Sequence, residues 1–162
     1  DELALCIERA KDWYKAFPDA YVTIGNHDAI IMRKAFDSGV PKVWIKEFND
    51  VLNTPNWKWV TEVEIDNVRY VHGHKSSKAK TAAKRDMMST VTGHFHTEQY
   101  VEWVYGRKSA VFSMGVGCGI DDTEYAFAYA SGGKKNAIGC GIVLDNGKTP
   151  IVVRMPLEDY KQ

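Results

Sequence analysis

All five histidines of the chain stand directly behind short β-branched runs: His27 after Tyr21-Val22-Thr23-Ile24, His72 and His74 after Val68 to Val71, His94 and His96 after Val91-Thr92. Runs of so few residues, stopped by Gly25 or followed by Gly73 and Gly93, are strands rather than helices, the Tyr21 to Ile24 run of the kind that fills a buried strand. Between them the apolar period changes to helical. Leu3, Cys6, Ile7, Ala10, Trp13 and Tyr14 share one face, Ala29 to Phe36 repeats at helical spacing, and Pro41 opens a further helical piece through Val51. Ser76 to Met88 turns to alanine, lysine and methionine and favours another helix. Trp57 to Ile65 alternates as a strand that returns over Val68 to Val71 through Asp66-Asn67. Two more hairpins are expected around Gly106 and around Asn146-Gly147. The glycine-rich span from Gly115 to Gly141 is expected to be mostly loop, with Tyr125 to Tyr129 folded back on the core. The pattern predicts an α/β chain of the layered, α+β kind, one domain over residues 1–162, rather than a pure βαβ wind.

The placement of the histidines also points to chemistry, because ligands of open sheets gather outside the strand ends. In an extended segment residues i and i+2 face the same way, so His94 and His96 can aim at one locus, and Gly93 leaves the backbone open to an ion or phosphate. Imidazoles together with the Asn26 oxygen describe a mixed nitrogen and oxygen site for zinc, manganese, iron or nickel. Each residue has a plainer use as well: a turn histidine hydrogen-bonds locally, and Asp28 is placed to cap the helix that follows it. Cys6, Cys118 and Cys140 are odd in number and in no CxxC spacing, which argues for reduced thiols and against a zinc knuckle. Lysine plus arginine equals aspartate plus glutamate at 21 each, so no global field favours nucleic acid or an anionic membrane. No apolar run approaches the roughly 18 residues of a membrane helix, and a cytoplasmic setting is the expectation. The stretch from Lys75 to Arg85 carries five cations without an acid; it is a solvated helix face or a phosphate-attracting wall beside the histidines. Trp57 and Trp59, two apart, suit strand packing rather than base stacking.

Taken in order, Gly25-Asn26-His27-Asp28, Tyr70-Val71-His72-Gly73-His74 and Gly93-His94-Phe95-His96 resemble the GNH[DE], strand-end histidine and GHxH motifs of the calcineurin-like metallophosphoesterases. The helix before GHxH and the stretch GVGCGIDDTEYAFAY look like the phage and DNA-metabolism members. The resemblance implies a two-sheet sandwich flanked by helices, holding two divalent ions, manganese first and iron, zinc or nickel next. It implies that Asn26, His72 and His94 ligate one ion and His96 the other. His27 would meet the scissile phosphate with Asp28 orienting its ring, while His74, Lys75 and Lys78 would bind substrate. The implied substrate is a phosphoester, a phosphodiester before a monoester and nucleic acid among the candidates, with no membrane partner.

The family's DxH and GDxxD motifs do not occur in this sequence. The chain reads as the family with its first strand, loop and second strand removed, and little negative charge is left for two cations. Weak or single-ion occupancy and little hydrolysis are therefore expected of the chain by itself. A fragment of a longer enzyme, which the absence of an initial methionine favours, stands beside a natural remnant. A further alternative is an oligomer or partner that completes the site. The reading from another class is a non-catalytic module that binds metal or nucleic acid.

Overall fold

The structure is a computed structural model that describes residues 2–73, 78–119 and 136–155. The chain divides into two compact units, Asp1–Thr61 and Glu62–Gln162.

The first unit opens with helix α1 (Glu2–Ala16), rich in alanine, leucine and lysine and stopped just before Pro18. Strand β1 (Tyr21–Thr23), helix α2 (Ala29–Asp37), a 3-10 turn (Lys42–Trp44), helix α3 (Phe48–Leu52) and strand β2 (Lys58–Val60) follow. β1 and β2 pair in parallel, Val22 opposite Trp59, and the Trp57 indole donates to the Phe17 carbonyl at 2.8 Å. Trp59 stacks on Phe48 with ring centroids 4.3 Å apart, so the two tryptophans pack as the period-two reading requires. Three expectations are corrected in this unit. The single helix from Pro41 to Val51 is instead a 3-10 turn and a short α-helix, because Ile45 (φ −105°, ψ 122°) and Glu47 (φ −70°, ψ 155°) are extended between them. The strand over Trp57 to Ile65 breaks at Thr61, where its two halves take different partners. The Tyr21 strand, expected to be buried, is only half-covered.

The second unit holds a five-stranded mixed sheet in the order β3 (Glu62–Ile65), β4 (Val68–Val71), β5 (Ser89–Thr92), β7 (Ala110–Val116), β6 (Gln99–Tyr105). β4, β5 and β7 run parallel, and the β3–β4 and β6–β7 hairpins flank them. Asp66 (φ 53°) and Asn67 (φ 59°) supply the left-handed pair that a two-residue hairpin needs. A separate hairpin, β8 (Gly139–Leu144) with β9 (Thr149–Arg154), turns through Asp145, Asn146 and Gly147 as expected. Val143 and Val152 of this hairpin pack on Val68, Val91, Phe112 and Met114 of the sheet. The alternate positions Thr90, Thr92 and Ser113 are also buried and belong to the opposite face. Helix α4 (Ala79–Asp86) lies against β5 and β7 with Ala79, Ala82 and Ala83 fully buried. It is shorter than the Ser76 to Met88 expectation because Met87, at φ 47°, ends it in the left-handed region.

The described residues are thus mixed α and β, as the alternation predicts. Among them no helix is long and apolar enough to cross a membrane. The Tyr125 to Tyr129 expectation lies outside the described residues.

Candidate metal centre

Parallel pairing brings the carboxyl ends of β4 and β5 side by side, Val71 opposite Thr92. His72 leaves the first strand directly, and His94 follows the second after Gly93. Gly73 turns the chain away at φ 110°; a Cβ there would stand 3.4 Å from Thr92 Cβ and 3.6 Å from His94 Cβ. Within this crowded corner His94 Nδ1 lies 3.2 Å from His72 Nε2, with the rings edge-on at 66°.

Two ring nitrogens so close share either a proton or a cation. Nitrogens ~2.1 Å from one ion stand about 3.0 Å apart at a right angle and about 3.4 Å apart at the tetrahedral angle. The observed 3.2 Å falls between them, and it is also the separation of an N–H···N hydrogen bond between the two rings, so the distance admits either a shared proton or a single divalent ion. Among the described residues no group of three or more His, Cys, Asp and Glu side chains is arranged to hold a metal ion.

His94 and His96 do not lie two apart on an extended strand as the spacing predicts. The segment is not extended: His94 sits at φ 62°, and the Phe95 N–H donates to the Gly93 carbonyl at 2.6 Å across a tight turn. Strand alternation therefore does not put the two imidazoles on one face. The main chain of His96 is fixed in another way. Its carbonyl accepts the Ala137 N–H at 2.7 Å and faces the Cys118 thiol at 3.9 Å. Cys118 follows the end of β7, the third parallel strand, and is a residue that the histidine pattern alone does not reveal.

Asn26, His27 and Asp28 form the turn between β1 and α2 in the first unit. Asp28 does not cap α2 with its side chain. Its backbone is already helical (φ −58°, ψ −39°), and its carboxylate reaches back to accept the Gly25 N–H at 2.8 Å. His27 is exposed, and with Asp28 it forms part of the wall of a cavity of about 440 Å³. The rest of that wall is mainly apolar, including Leu3, Ile31, Met32, Phe48, Leu52 and Trp59. The structure brings together His72 and His94 in the second unit, and Asn26, His27 and Asp28 in the first.

The basic stretch is not an open row of cations. Lys78 pairs with Glu98 and lies 5.6 Å from the Phe95 ring centre. Lys80 pairs with Glu102 at 2.5 Å, and Arg85 with Asp86 at 2.6 Å. Glu98 and Glu102 come from the beginning of the β6–β7 hairpin, so a linear reading of the stretch does not include them. His74 and Lys75 lie outside the described residues. Compared with protein-family models, with curated proteins and with solved structures, the chain matches none.

Proposed function

We propose that the chain carries part of the metal centre of a phosphoester hydrolase of the calcineurin-like metallophosphoesterase type. The observation that carries this reading is the His72–His94 pair, two imidazole nitrogens 3.2 Å apart at the ends of adjacent parallel strands. In this reading Asn26, His72 and His94 hold one divalent ion and His96 a second, manganese before iron, zinc or nickel. The ions supply positive charge at the phosphoryl oxygens when bound. His27 donates a proton or hydrogen bond to the leaving oxygen, and Asp28 holds the turn from which it projects by accepting from Gly25. His74 and Lys75 belong to the substrate side; Lys78, expected there from the sequence, is engaged by Glu98. The five-stranded sheet with the β8–β9 hairpin on one face and α4 on the other is compatible with a helix-flanked two-sheet sandwich. Free thiols at Cys6, Cys118 and Cys140 suit a reducing cytoplasm. A phosphodiester is the preferred substrate, nucleic acid among the candidates.

Calorimetric titration of the chain with manganese tests the reading. One bound ion is expected, with affinity falling by about tenfold or more in His72→Ala and in His94→Asn. Asparagine is chosen because it tolerates the left-handed backbone of position 94, so melting temperature should stay near wild type while binding is lost. Unchanged affinity in both variants would remove the ligand assignment. Manganese-dependent hydrolysis of an aryl phosphodiester above the metal-only background supports the enzyme; binding without turnover supports the non-catalytic module.

A further inference from the structure

His94 is a non-glycine residue held at φ 62°, a conformation that is disfavoured for an L-residue. Such strain persists only where the surroundings over-determine it. Main-chain bonds account for part of the restraint: Phe95 N–H to Gly93 O at 2.6 Å and Glu98 N–H to Phe95 O at 3.0 Å make residues 93–98 two successive turns. The side chains supply a second set of contacts. The Phe95 ring meets the His94 ring edge-on, with centroids 5.1 Å apart at 76°, and the Lys78 ammonium covers Phe95 while pairing with Glu98. Lys78 immediately precedes α4, whose Ala79, Ala82 and Ala83 are fully buried, so the cation projects from a fixed base. One ammonium thus grips both ends of the turn that follows His94.

We propose that Lys78, Phe95 and Glu98 form a strut that positions the His94 ring beside His72, so that Lys78 is a positioning residue for the candidate metal centre rather than a phosphate ligand. The geometry of the strut stands without metal; only its consequence for ion affinity rests on the proposed function. A solvent-exposed ion pair and a cation–aromatic contact are each weak, so loosening both should raise local opening of the turn roughly three- to tenfold.

The test is amide hydrogen exchange at Phe95 and Glu98 in the metal-free chain, with the His94 ring resonances as a second readout. Lys78→Glu and Glu98→Lys should each raise exchange at these two amides and move the His94 ring signals, while exchange in β5 and β7 stays at the wild-type rate. The double variant, with the charges exchanged, should recover part of the lost protection. Wild-type exchange at Phe95 and Glu98 in both single variants, or an additive loss in the double variant, would overturn the strut. Manganese titration of the same variants separates the two ideas. A chain that binds no manganese counts against the metal reading alone, whereas equal affinity in wild type and both single variants counts against positioning by Lys78.

Discussion

Asp86 stands between two guanidinium groups. Its Oδ1 accepts from Arg85 Nε at 2.6 Å, and its Oδ2 accepts from Arg85 Nη2 and Arg69 Nη1, each at 2.8 Å. Hydrogen bonds from Arg85 first and Arg69 second hold the Asp86 carboxyl well below the usual carboxylate range. Because the folded-state value is the lower one, the ionised form stabilises the fold above the unfolded-state pKa of about 3.9, and that contribution disappears as pH falls through the folded value. Asp86→Asn should therefore melt below wild type at pH 7, and the gap should close as the pH is taken from about 4 towards 2. A gap that stays constant across this range would show that the pair contributes nothing through ionisation. Arg69 adds to the cost of the substitution, since its Nε is enclosed without an acceptor and its remaining partners are Asp86 and, at 3.4 Å, Thr90. Neither contact can be read from the letters around Arg69: Asp86 closes α4, and Thr90 lies on the strand beside it.

Helix α4 shows what the pattern of a sequence reveals about an element and what it leaves out. Alanine at 79, 82 and 83 signals a helix, and the spacing gives the buried face; that the helix lies against β5 and β7, where Thr90, Thr92 and Ser113 are buried, follows only from the sheet order. Ala79, Ala82 and Ala83 are each fully enclosed, so a larger side chain at these positions must displace its neighbours. Ala82→Leu should therefore cost about 1–3 kcal/mol through overpacking, seen as a lower midpoint in urea with an unchanged slope. A midpoint equal to wild type would mean that the helix stands further from the sheet than its burial implies. The hairpins were legible for a simpler reason, since Asp66-Asn67 and Asn146-Gly147 carry their left-handed turn chemistry in adjacent letters. The close approach of those two turns was not legible: a Cβ on Gly147 would lie 2.2 Å from the Asp66 carbonyl oxygen, a contact between residues some eighty positions apart. The same limit applies to the candidate site. Strand-exit histidines are visible in the sequence, but the pairing of His72 with His94 depends on β4 and β5 being parallel neighbours, and the left-handed turn at His94 undoes the extended geometry assumed for His94 and His96.

An apolar share of 44% suggests ample material for one core, yet composition averages over two units that use it differently. Val68, Phe112 and Met114 are fully enclosed in the second unit. In the first, Ala10 is the one buried apolar side chain among the described residues, while Leu3 is 51% exposed, Trp13 64%, Phe36 83% and Trp44 80%. Its sheet is a single parallel pair, an arrangement marginal alone and ordinarily covered on both faces. Apolar burial stabilises by roughly 25 cal/mol per Å², so side chains left this open contribute little to holding β1 and β2 together. Amides of β5 and β7 should then exchange only through global unfolding, whereas those of β1 and β2 should exchange through local opening at lower free energy. Native-state hydrogen exchange over a range of low denaturant reads the difference directly, because global opening depends steeply on denaturant and local opening hardly at all. Equal protection and equal denaturant slopes in β1 and β7 would show that the exposed face of the first unit carries no stability deficit.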